Sequence, residues 1–576
     1  MGKLRAAAGT IGASLLAASL AVTGQSKELQ SAKMAPWTFR ADWSGGYSGW
    51  MTFPLAQDVG YDPSLYTEAQ GDRTVLVHKF ISHGETQPWF GLVRPLRFSA
   101  GAGTSIEIQY RLKVAGAIRN SQLVLAGEDG HLYSAMLPGG DGEPKVRIGA
   151  EALKLNAPAS IQAMILRGRL QHPPTGSESQ WILERFVLHA TRQREVELLL
   201  PHRNEAVDGS WVAREVIQPG GQLHLGWKSA DTHTEVALYA PAGVLASSQE
   251  VGSGQTQVAV SMGAHPEPGL WRAEVAQGSA KTIFQFLVLR APPEHTHLLL
   301  SELRLQQLSH DAQYAGLRQV IHQRAETLSA KIHYNVAAGE NIALMPSGPG
   351  IEPAIANQLQ PYLELMEAYA NAIAYNALDY KLNGNAKSLA VARHALDTVA
   401  AWKTWSPPRF RAHGLKTDYE VGFVTQRFAF GYDLIADQFS PKEREQVAHA
   451  FWKQAIEPAV QEYFLYNRNP LGASNWMANS VGGALAAAVA VAGDVPEWNE
   501  REAPALAELD FAFEQMLHGL FLKDGSEAEP TGYENFAMQG VSWGMSALAE
   551  FGIQPQGANR MMHGFWWPYY NTVRPS

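Results

Sequence analysis

The sequence contains no cysteine, which excludes disulfide bonds, thiolate metal ligands and a cysteine nucleophile. It also lacks an excess of basic residues, because 46 Lys and Arg stand against 55 Asp and Glu, for a formal net charge of −9. This balance argues against a general nucleic-acid-binding protein, which needs a basic surface to neutralise phosphates. A locally basic cleft for an anionic substrate is still compatible with it.

The N-terminal segment has the pattern of a secretory signal peptide. Lys3 and Arg5 precede the short apolar run AAAGTIGASLLAASLAVTG, which ends in small residues. We therefore expect residues 1–26 to be a signal peptide and the mature protein to be secreted or periplasmic. A membrane anchor is the alternative, which the shortness and the Ala and Gly content of the run disfavour. No later segment is apolar enough to cross a bilayer.

The first half of the chain has the texture of β-structure. Runs such as TVLVHKFIS and SIEIQYRLKV alternate apolar and polar residues with period two, and Gly, Pro and Asp separate them. A second series of evenly spaced strands, from EVELLLP to TIFQFLVLR, follows. We predict an N-terminal β-sandwich domain at residues 35–194 and a smaller one at 195–292.

The second half changes to helical periodicity after the linker APPEHTH. One helix start is explicit, because Ser440 can cap, Pro441 suits the first helical position and Glu443 completes a capping box. Helical pairs could form a ring or a solenoid, and the absence of a fixed-period repeat favours the ring. The predicted fold class is a multidomain α+β protein, with two all-β domains followed by an incomplete α/α toroid at residues 298–576.

The stretch SNWMAN places polar and aromatic residues at the start of an apolar, alanine-rich helix. Ser474 or Asn475 would be a good N-cap, and Trp476 could simply pack. That explanation leaves out Asn479, which lies four residues after Asn475 and so on the same helical face. We interpret this turn as part of a sugar-binding cleft.

The loop KDGSEAEPTGYENF is the second unusual segment. A turn at Asp524 and Gly525 is followed by Glu527 and Glu529, and Tyr533 lies at the start of the next helix. The turn by itself is weak evidence, because an ordinary solvated loop would also contain one. A phenol at the rim of the helix would also suit a cleft.

In these segments the sequence resembles the heparinase II/III group of polysaccharide lyases, which combine an incomplete α/α toroid with β domains. The similar motifs occur in order over residues 298–567, and they are YEVGFVTQRFAFGYDLIADQFSPKEREQVAHAF, SNWMANSVGGALAAAVAVAGD and DGSEAEPTGYENF. The resemblance implies cleavage of a uronate-containing anionic polysaccharide by β-elimination, with no cofactor and no metal among the predicted site residues.

The resemblance also implies roles for individual residues. β-Elimination removes the C5 proton beside the uronate carboxylate, which requires that the carboxylate be neutralised. Asn475 matches the family's neutralising position. Tyr533 matches its catalytic tyrosine, which gives a proton to the leaving oxygen and in some members also abstracts the C5 proton. Substrate-binding positions are expected at Trp476, as a stacking platform, and at Asn479, Glu529, Tyr419 and Arg427.

The sequence departs from the family at its C-terminal end. The family usually adds a C-terminal β-sheet domain that supplies a further catalytic histidine, and we expect that domain, or a partner chain, to be missing here. His413 is our candidate for the third catalytic residue, with His563 as an alternative; an ordinary surface or packing histidine is the simpler explanation for either. We expect the aromatic residues Trp566, Trp567, Tyr569 and Tyr570 to mark the surface on which that domain would sit.

Two other functions are compatible with the same residues. An inverting glycosidase on an α/α toroid would use an acidic pair, for which Glu527, Glu529 and Asp418 are candidates. A non-catalytic glycan-binding protein would bind through its β domains and carry an inert toroid.

Overall fold

The computed structural model describes most of the chain. The described residues are 34–41, 43, 50–53, 65–82, 87–127, 131–138, 144–193, 198–199, 215–217, 221–227, 233–263, 266–278, 280–290, 298–332, 359–406, 417–465, 474–494, 501–521 and 531–564. Strands fill the first half and helices the second, so the predicted α+β class is confirmed. No helix in these ranges is long and apolar enough to cross a membrane.

The first β region is one antiparallel network of eleven strands, with a path order β3-β4-β11-β5-β10-β7-β8. Strand β11 links its parts, because it pairs along its length with β4, β6 and β1 and changes register between Leu183 and Arg185. Its core contains the buried rings of Trp50, Trp181 and Tyr110. The strands are β1 Met34–Arg40, β2 Met51–Phe53, β3 Leu65–Gln70, β4 Arg73–Ile81, β5 Trp89–Ala100, β6 Ser105–Lys113, β7 Ala117–Gly127, β8 Leu132–Met136, β9 Lys145–Gly149, β10 Ala159–Gln171 and β11 Glu178–Gln193.

The second β region has its own core around Trp227, Trp271 and Phe286. It forms a three-stranded sheet, β12-β14-β17, and a five-stranded sheet, β13-β19-β18-β15-β16. Its last strand also contributes Leu287 to the helical core, which joins the two regions. The strands are β12 Leu198–Leu199, β13 Glu215–Ile217, β14 Gln222–Trp227, β15 Thr234–Tyr239, β16 Leu245–Val251, β17 Gln257–Ser261, β18 Gly269–Gln277 and β19 Ala280–Val288.

The helical region contains ten α-helices of seven residues or more within the described residues. The predicted capping box is present at the start of α6, where Ser440 and Glu443 exchange hydrogen bonds with each other's backbone, and π-helical turns extend α6 to Leu465. The helices are α1 Glu302–His310, α2 Ala315–Ser329, α3 Leu359–Asn383, α4 Ala386–Ala400, α5 Tyr419–Ile435, α6 Pro441–Phe451, α7 Asn475–Ala490, α8 Ala503–Leu520, α9 Thr531–Glu550 and α10 Ala558–Gly564.

Alternate helices of this region run parallel to one another. Helices α5 and α7 meet near both starts, through Tyr419 and Trp476, and near both ends, where Tyr432 donates to Asp494 at 2.6 Å. The contacts of α5 with α9 keep one sequence separation, 113 residues, as parallel helices require. These pairs are Phe423–Phe536, Gln426–Gln539 and Phe430–Trp543.

Helix α3 joins the same parallel set. Ile373 of α3 packs on Gly431 of α5, and further along both helices Lys381 pairs with Asp437 at 3.3 Å. Because α3, α5, α7 and α9 all point the same way, α4, α6 and α8 return the chain to the common end between them. This alternation is the arrangement of an α/α toroid, and all four parallel helices begin at the same end.

Helix α7 is enclosed by its neighbours through backbone contact. A Cβ atom on Gly483 would lie 2.3 Å from the Gly422 carbonyl oxygen of α5, and one on Gly482 would lie 2.1 Å from the Gly540 oxygen of α9. Side chains do not fit at such distances, so these helices approach each other only because glycine occupies the contact points. The glycine pair after SNWMAN therefore fixes the separation of three parallel helices.

A buried carboxylate ties α2, α3 and α4 together. Asp379 has no exposed surface and accepts hydrogen bonds from Ser388 (2.6 Å), Asn383 (2.7 Å) and Asn385 (2.8 Å). His322 contacts the same carboxylate through Nδ1 at 3.1 Å. Burial acts to raise the pKa of Asp379, but these hydrogen bonds together hold it below its ordinary value of 3.8. The hydrogen bond and charge of Asp379 raise the pKa of His322 above 6.5.

These shifts predict how stability depends on pH. The contribution of His322 is complete below its unfolded pKa of 6.5 and disappears as the pH rises through its higher folded value. The contribution of Asp379 is present above 3.8 and disappears as the pH falls through its lower folded value. The pair should therefore stabilise the fold most between these two ordinary values.

His322→Gln removes the basic partner and tests this dependence. The difference in melting temperature between wild type and variant should be larger at about pH 5.5 than at about pH 8.5, which lie on either side of the ordinary histidine pKa. The wild type must be compared with the variant because His518 gives the stability the opposite dependence on pH. Burial, with Arg560 nearby, lowers the pKa of His518 to about 4, so its contribution to stability decreases as the pH falls. A difference that is constant over this range would contradict the assignment.

Candidate active site

Three of the parallel helices begin next to one another, and these starts carry the residues that the sequence singles out. Tyr419 is the first residue of α5, Asn475 the first of α7, and Tyr533 lies in the first turn of α9. The Tyr419 ring lies 4.8 Å from the Trp476 ring and 5.6 Å from the Phe536 ring. Since Tyr533 precedes Phe536 by one helical turn, it lies on the same side of α9. The fold therefore brings residues from three distant segments to one end of the toroid.

Two of these helix starts have side-chain caps. The Asp418 carboxylate accepts from the backbone N–H groups of Glu420 and Val421 at 2.7 and 3.0 Å. Ser474 caps α7 by accepting from the Trp476 N–H at 3.1 Å. Ser474 is therefore the N-cap of α7, and Asn475 is the first residue within the helix. Asp418 is fully buried, so capping is the role that the structure gives this candidate acid.

Asn479 connects the three helices through its side-chain amide. Its Nδ2 donates to the backbone oxygens of Asn475 (3.0 Å) and Phe536 (2.9 Å), and its Oδ1 accepts from Gln426 at 3.3 Å. Gln426 in turn accepts from Gln539 of α9 at 3.2 Å. Asn479 has no exposed surface. Its amide is thus used within the protein, where it holds the first turn of α7 against α9, and a direct substrate contact stays a prediction.

Trp476 faces the first β region. Its side chain is 8% exposed and belongs to the same buried cluster as the core of that sheet, with Tyr419 packed against the cluster. Most of the indole surface is therefore used for contact between the toroid and the β region. A stacking role for Trp476 stays a prediction. Only the small exposed edge of its indole could contact a sugar.

Tyr533 and Asn475 differ in accessibility. Tyr533 is 55% exposed, so its ring is open to a molecule in solution. Asn475 is 4% exposed, so little of its surface can meet a ligand.

Arg427 provides a cation on α5, two turns after Tyr419. Its guanidinium lies 3.9 Å from the centre of the Phe423 ring and donates to the Phe423 carbonyl oxygen at 3.3 Å. Burial lowers its pKa, whereas nearby Glu367 and Tyr375 act to raise it. Arginine stays protonated under ordinary conditions, so a partly desolvated positive charge lies on the helix face that starts at Tyr419.

Several predicted positions lie outside the described residues. They are His413, Glu527, Glu529 and the C-terminal aromatic residues Trp566, Trp567, Tyr569 and Tyr570. Their roles stay predictions. His563 lies on α10. Among the described residues, no group of three or more His, Asp or Glu side chains is arranged to hold a metal ion.

Sequence reasoning missed Gln426, Phe423, Phe536 and Gln539. Gln426 and Gln539 complete the amide chain through Asn479, and the two phenylalanines line the seam between α5 and α9. A signal existed for Gln426, because it is an uncharged polar residue inside the apolar stretch VGFVTQRFAFG. Phe423 and Phe536 give no such signal, since an aromatic residue on an amphipathic helix is usually a core residue.

Comparisons with known proteins give only distant similarities. No protein-family model matches the chain, and no curated protein sequence matches it. Similar solved structures include an Endo-D glycoside hydrolase domain from Streptococcus pneumoniae R6, which is 12% identical in sequence. The match covers 41% of this chain and 37% of that chain, with a TM-score of 0.18. A β-1,2-glucanase from Parabacteroides distasonis has 12% identity, coverages of 74% and 62%, and a TM-score of 0.19.

A polysaccharide lyase is also among the similar structures, with 10% identity, 85% of this chain and 71% of that chain covered, and a TM-score of 0.16. The matched regions span less than two thirds of the first two proteins. All three similar proteins act on carbohydrates by their descriptions, and their TM-scores are too low to establish a shared fold or function. The heparinase II/III resemblance is not confirmed by these comparisons.

Proposed function

We propose that this protein is a polysaccharide lyase that cleaves a uronate-containing polysaccharide by β-elimination at the common end of the parallel helices. The observation that carries the proposal is the convergence of Tyr419, Asn475 and Tyr533 at three adjacent helix starts. β-Elimination needs a group that neutralises the carboxylate and a group that transfers a proton, both within one sugar ring. Asn475 and Tyr533 supply these two chemical types.

The helix starts favour a carboxylate electrostatically. The N-terminus of a helix carries a partial positive charge, and its first backbone N–H groups have no partner within the helix. Asp418 already occupies this position on α5, whereas α7 is capped by the uncharged Ser474. The start of α7, with the amide of Asn475, is therefore better suited than the start of α5 to the uronate carboxylate. Its neutralisation there would make the C5 proton acidic by stabilising the enolate-like transition state.

Tyr533 is the proton-transfer group in this proposal. Its exposure allows its oxygen to reach both C5 and the glycosidic oxygen O4. As the phenolate, Tyr533 would take the C5 proton and then give it to O4 as the C4–O4 bond breaks, which regenerates the phenolate. The amide chain through Asn479 would keep α7 and α9 in register, so that Asn475 and Tyr533 act on the same sugar. Arg427 would bind a neighbouring uronate along the seam of α5. The proposal includes export from the cytoplasm, for which the signal-like segment is the support.

The inverting-glycosidase alternative is weakened at one of its three candidate acids. A general acid or base must be reachable by substrate, and Asp418 is fully buried with its carboxylate on two backbone N–H groups. Glu527 and Glu529 are its other candidates.

A panel of anionic polysaccharides tests the proposal. The full chain would be incubated separately with heparan sulfate, chondroitin, alginate, glucuronan and ulvan, with a neutral glucan as the control. Elimination leaves an unsaturated uronate, so we expect near-ultraviolet absorbance to increase with at least one acidic polymer and not with the glucan. New reducing ends without that absorbance would instead identify a hydrolase, and no cleavage of any polymer would favour a glycan-binding protein.

A further inference from the structure

A cluster of arginine, tryptophan and amide side chains occupies the outer face of the first β region. In the register of β5, β10 and β7, Trp89 lies opposite Arg169, which lies opposite Asn120. Gln122 lies opposite Arg167 in the next row of the same face. We call these five residues the arginine–tryptophan face.

The side chains of this face point away from the sheet core. Gly168, between the two arginines, faces the other way, because a Cβ atom there would meet Ile118, Phe90 and Trp181. Since successive residues of a strand alternate between faces, Arg167 and Arg169 lie on the outer side. All five members of the face are half-buried, so each is still accessible to a ligand.

The indole of Trp89 positions both guanidinium groups. The Arg167 guanidinium lies 4.5 Å from the ring centre and that of Arg169 5.6 Å. Arg167 is fixed further by two hydrogen bonds to the Gln122 side-chain oxygen, each 3.2 Å. A carboxylate partner would neutralise the charge of an arginine, whereas a cation–π contact holds the side chain and leaves its charge in place. The two guanidinium groups are therefore pre-oriented by one aromatic ring.

The charge balance of the face favours an acidic ligand. Within the described part of the chain, Arg169 has no ion pair, and neither does Arg119, which donates to Gln87 at 3.3 Å beside Trp89. Arginine forms bidentate hydrogen bonds with carboxylates, and the planar side chains of Gln122 and Asn120 add donors for hydroxyl groups. A protein of net charge −9 thus presents a compact cationic surface with an aromatic ring.

We propose that the arginine–tryptophan face is a second, non-catalytic binding site for an acidic polysaccharide, which it holds through uronate carboxylates. The choice of a uronate polymer rests on the proposed function. The site would retain a long polymer while the toroid acts on another part of it. Binding at a second site raises the effective concentration of the chain at the first.

Titration calorimetry with polyglucuronate tests this site. The full chain would carry Tyr533→Phe as the background substitution, so that the polymer is bound without being cleaved. Adding Arg169→Ala should weaken the Kd by about tenfold, the effect of losing one charge-assisted hydrogen bond. It should also reduce the dependence of the Kd on salt concentration. The melting temperature should stay within a few degrees, because Arg169 is on the surface. Arg169→Gln gives the same test with less change in packing.

Arg304→Ala is the matched control. Arg304 also lies over an aromatic ring, Tyr314 at 5.1 Å, but on the helical region. Arg304→Ala removes the same charge from a surface outside the arginine–tryptophan face. It should therefore change the Kd by less than about twofold. Equal weakening by both variants, or none by Arg169→Ala, would overturn the proposal. Equally tight binding of oligodeoxythymidylate would also overturn it, by showing a general polyanion surface.

The outcomes separate this site from the proposed function. If no polymer is cleaved by wild type but Arg169→Ala still weakens polyglucuronate binding, the second site stands and the lyase proposal fails. If cleavage occurs, Arg169→Ala should leave kcat on short oligosaccharides unchanged and raise KM on the long polymer only. An unchanged KM on the long polymer would contradict the second site while leaving the lyase proposal intact.

Discussion

Tyr533→Phe is expected to lower kcat by about 10²–10⁴-fold on a polysaccharide that the wild-type protein cleaves, the usual contribution of a general acid or base. Phenylalanine keeps the ring and removes only the hydroxyl group that would transfer the proton. Tyr533 is 55% exposed, so the change leaves no unfilled space in a packed core. KM and melting temperature should therefore stay close to the wild-type values, and the loss should appear in kcat alone.

A tyrosine elsewhere provides the control. Tyr239→Phe removes a hydroxyl group from the second β region, beneath Arg272, and should leave kcat unchanged. If Tyr533→Phe retained wild-type turnover, Tyr533 would be a structural residue. An increase in KM without loss of kcat would instead make it a binding residue, because a group used only for binding does not act selectively in the transition state.

Gly482→Ala is expected to destabilise the helical region strongly, although it adds a single methyl group. The new Cβ atom would lie 2.1 Å from the Gly540 carbonyl oxygen, and backbone at a helix contact cannot move aside as a flexible side chain can. Overpacking costs about 1–3 kcal/mol, and more where the neighbour is rigid, so we expect a loss near the top of that range. This corresponds to a decrease in melting temperature of roughly 6–12 °C for a region of this size.

The same substitution at an open helical position is the matched control. Gly316 lies in α2, and a Cβ atom there would have no neighbour within 4 Å. Gly316→Ala should leave the free energy of unfolding unchanged or raise it by about 0.5–1 kcal/mol, since alanine favours helix. Thermal unfolding of both variants measures the difference. Similar melting temperatures for the two would show that α7 and α9 are not in backbone contact at Gly482.

Features set by local sequence could be predicted. Alternation in SIEIQYRLKV specifies a half-buried strand, and β6 has that pattern of burial. The Ser440 capping box forms as predicted because its hydrogen bonds join residues three positions apart. The change from β-structure to helices was also visible as a change of period, which explains why the fold class could be predicted.

Features that depend on distant contacts could not be predicted. The spacing of Asn475 and Asn479 indicates a shared face, and they do interact, but no local pattern shows that Asn479 donates to Phe536 and accepts from Gln426. Similarly, Trp476 has the character of a sugar platform in sequence, whereas the fold buries it against the β region. Both results depend on which segments the fold brings together, and a single sequence does not encode that visibly.

Cleavage in water enriched in the heavy oxygen isotope tests the central claim most directly. Hydrolysis adds the oxygen of water to the new reducing end, whereas β-elimination transfers only protons and breaks the C4–O4 bond without adding water. Mass spectrometry of the first products should therefore show an unlabelled unsaturated uronate that is lighter than the hydrolysis product by one water molecule. This product should be missing with Tyr533→Phe. Saturated products that carry the heavy isotope would contradict the account and identify a hydrolase.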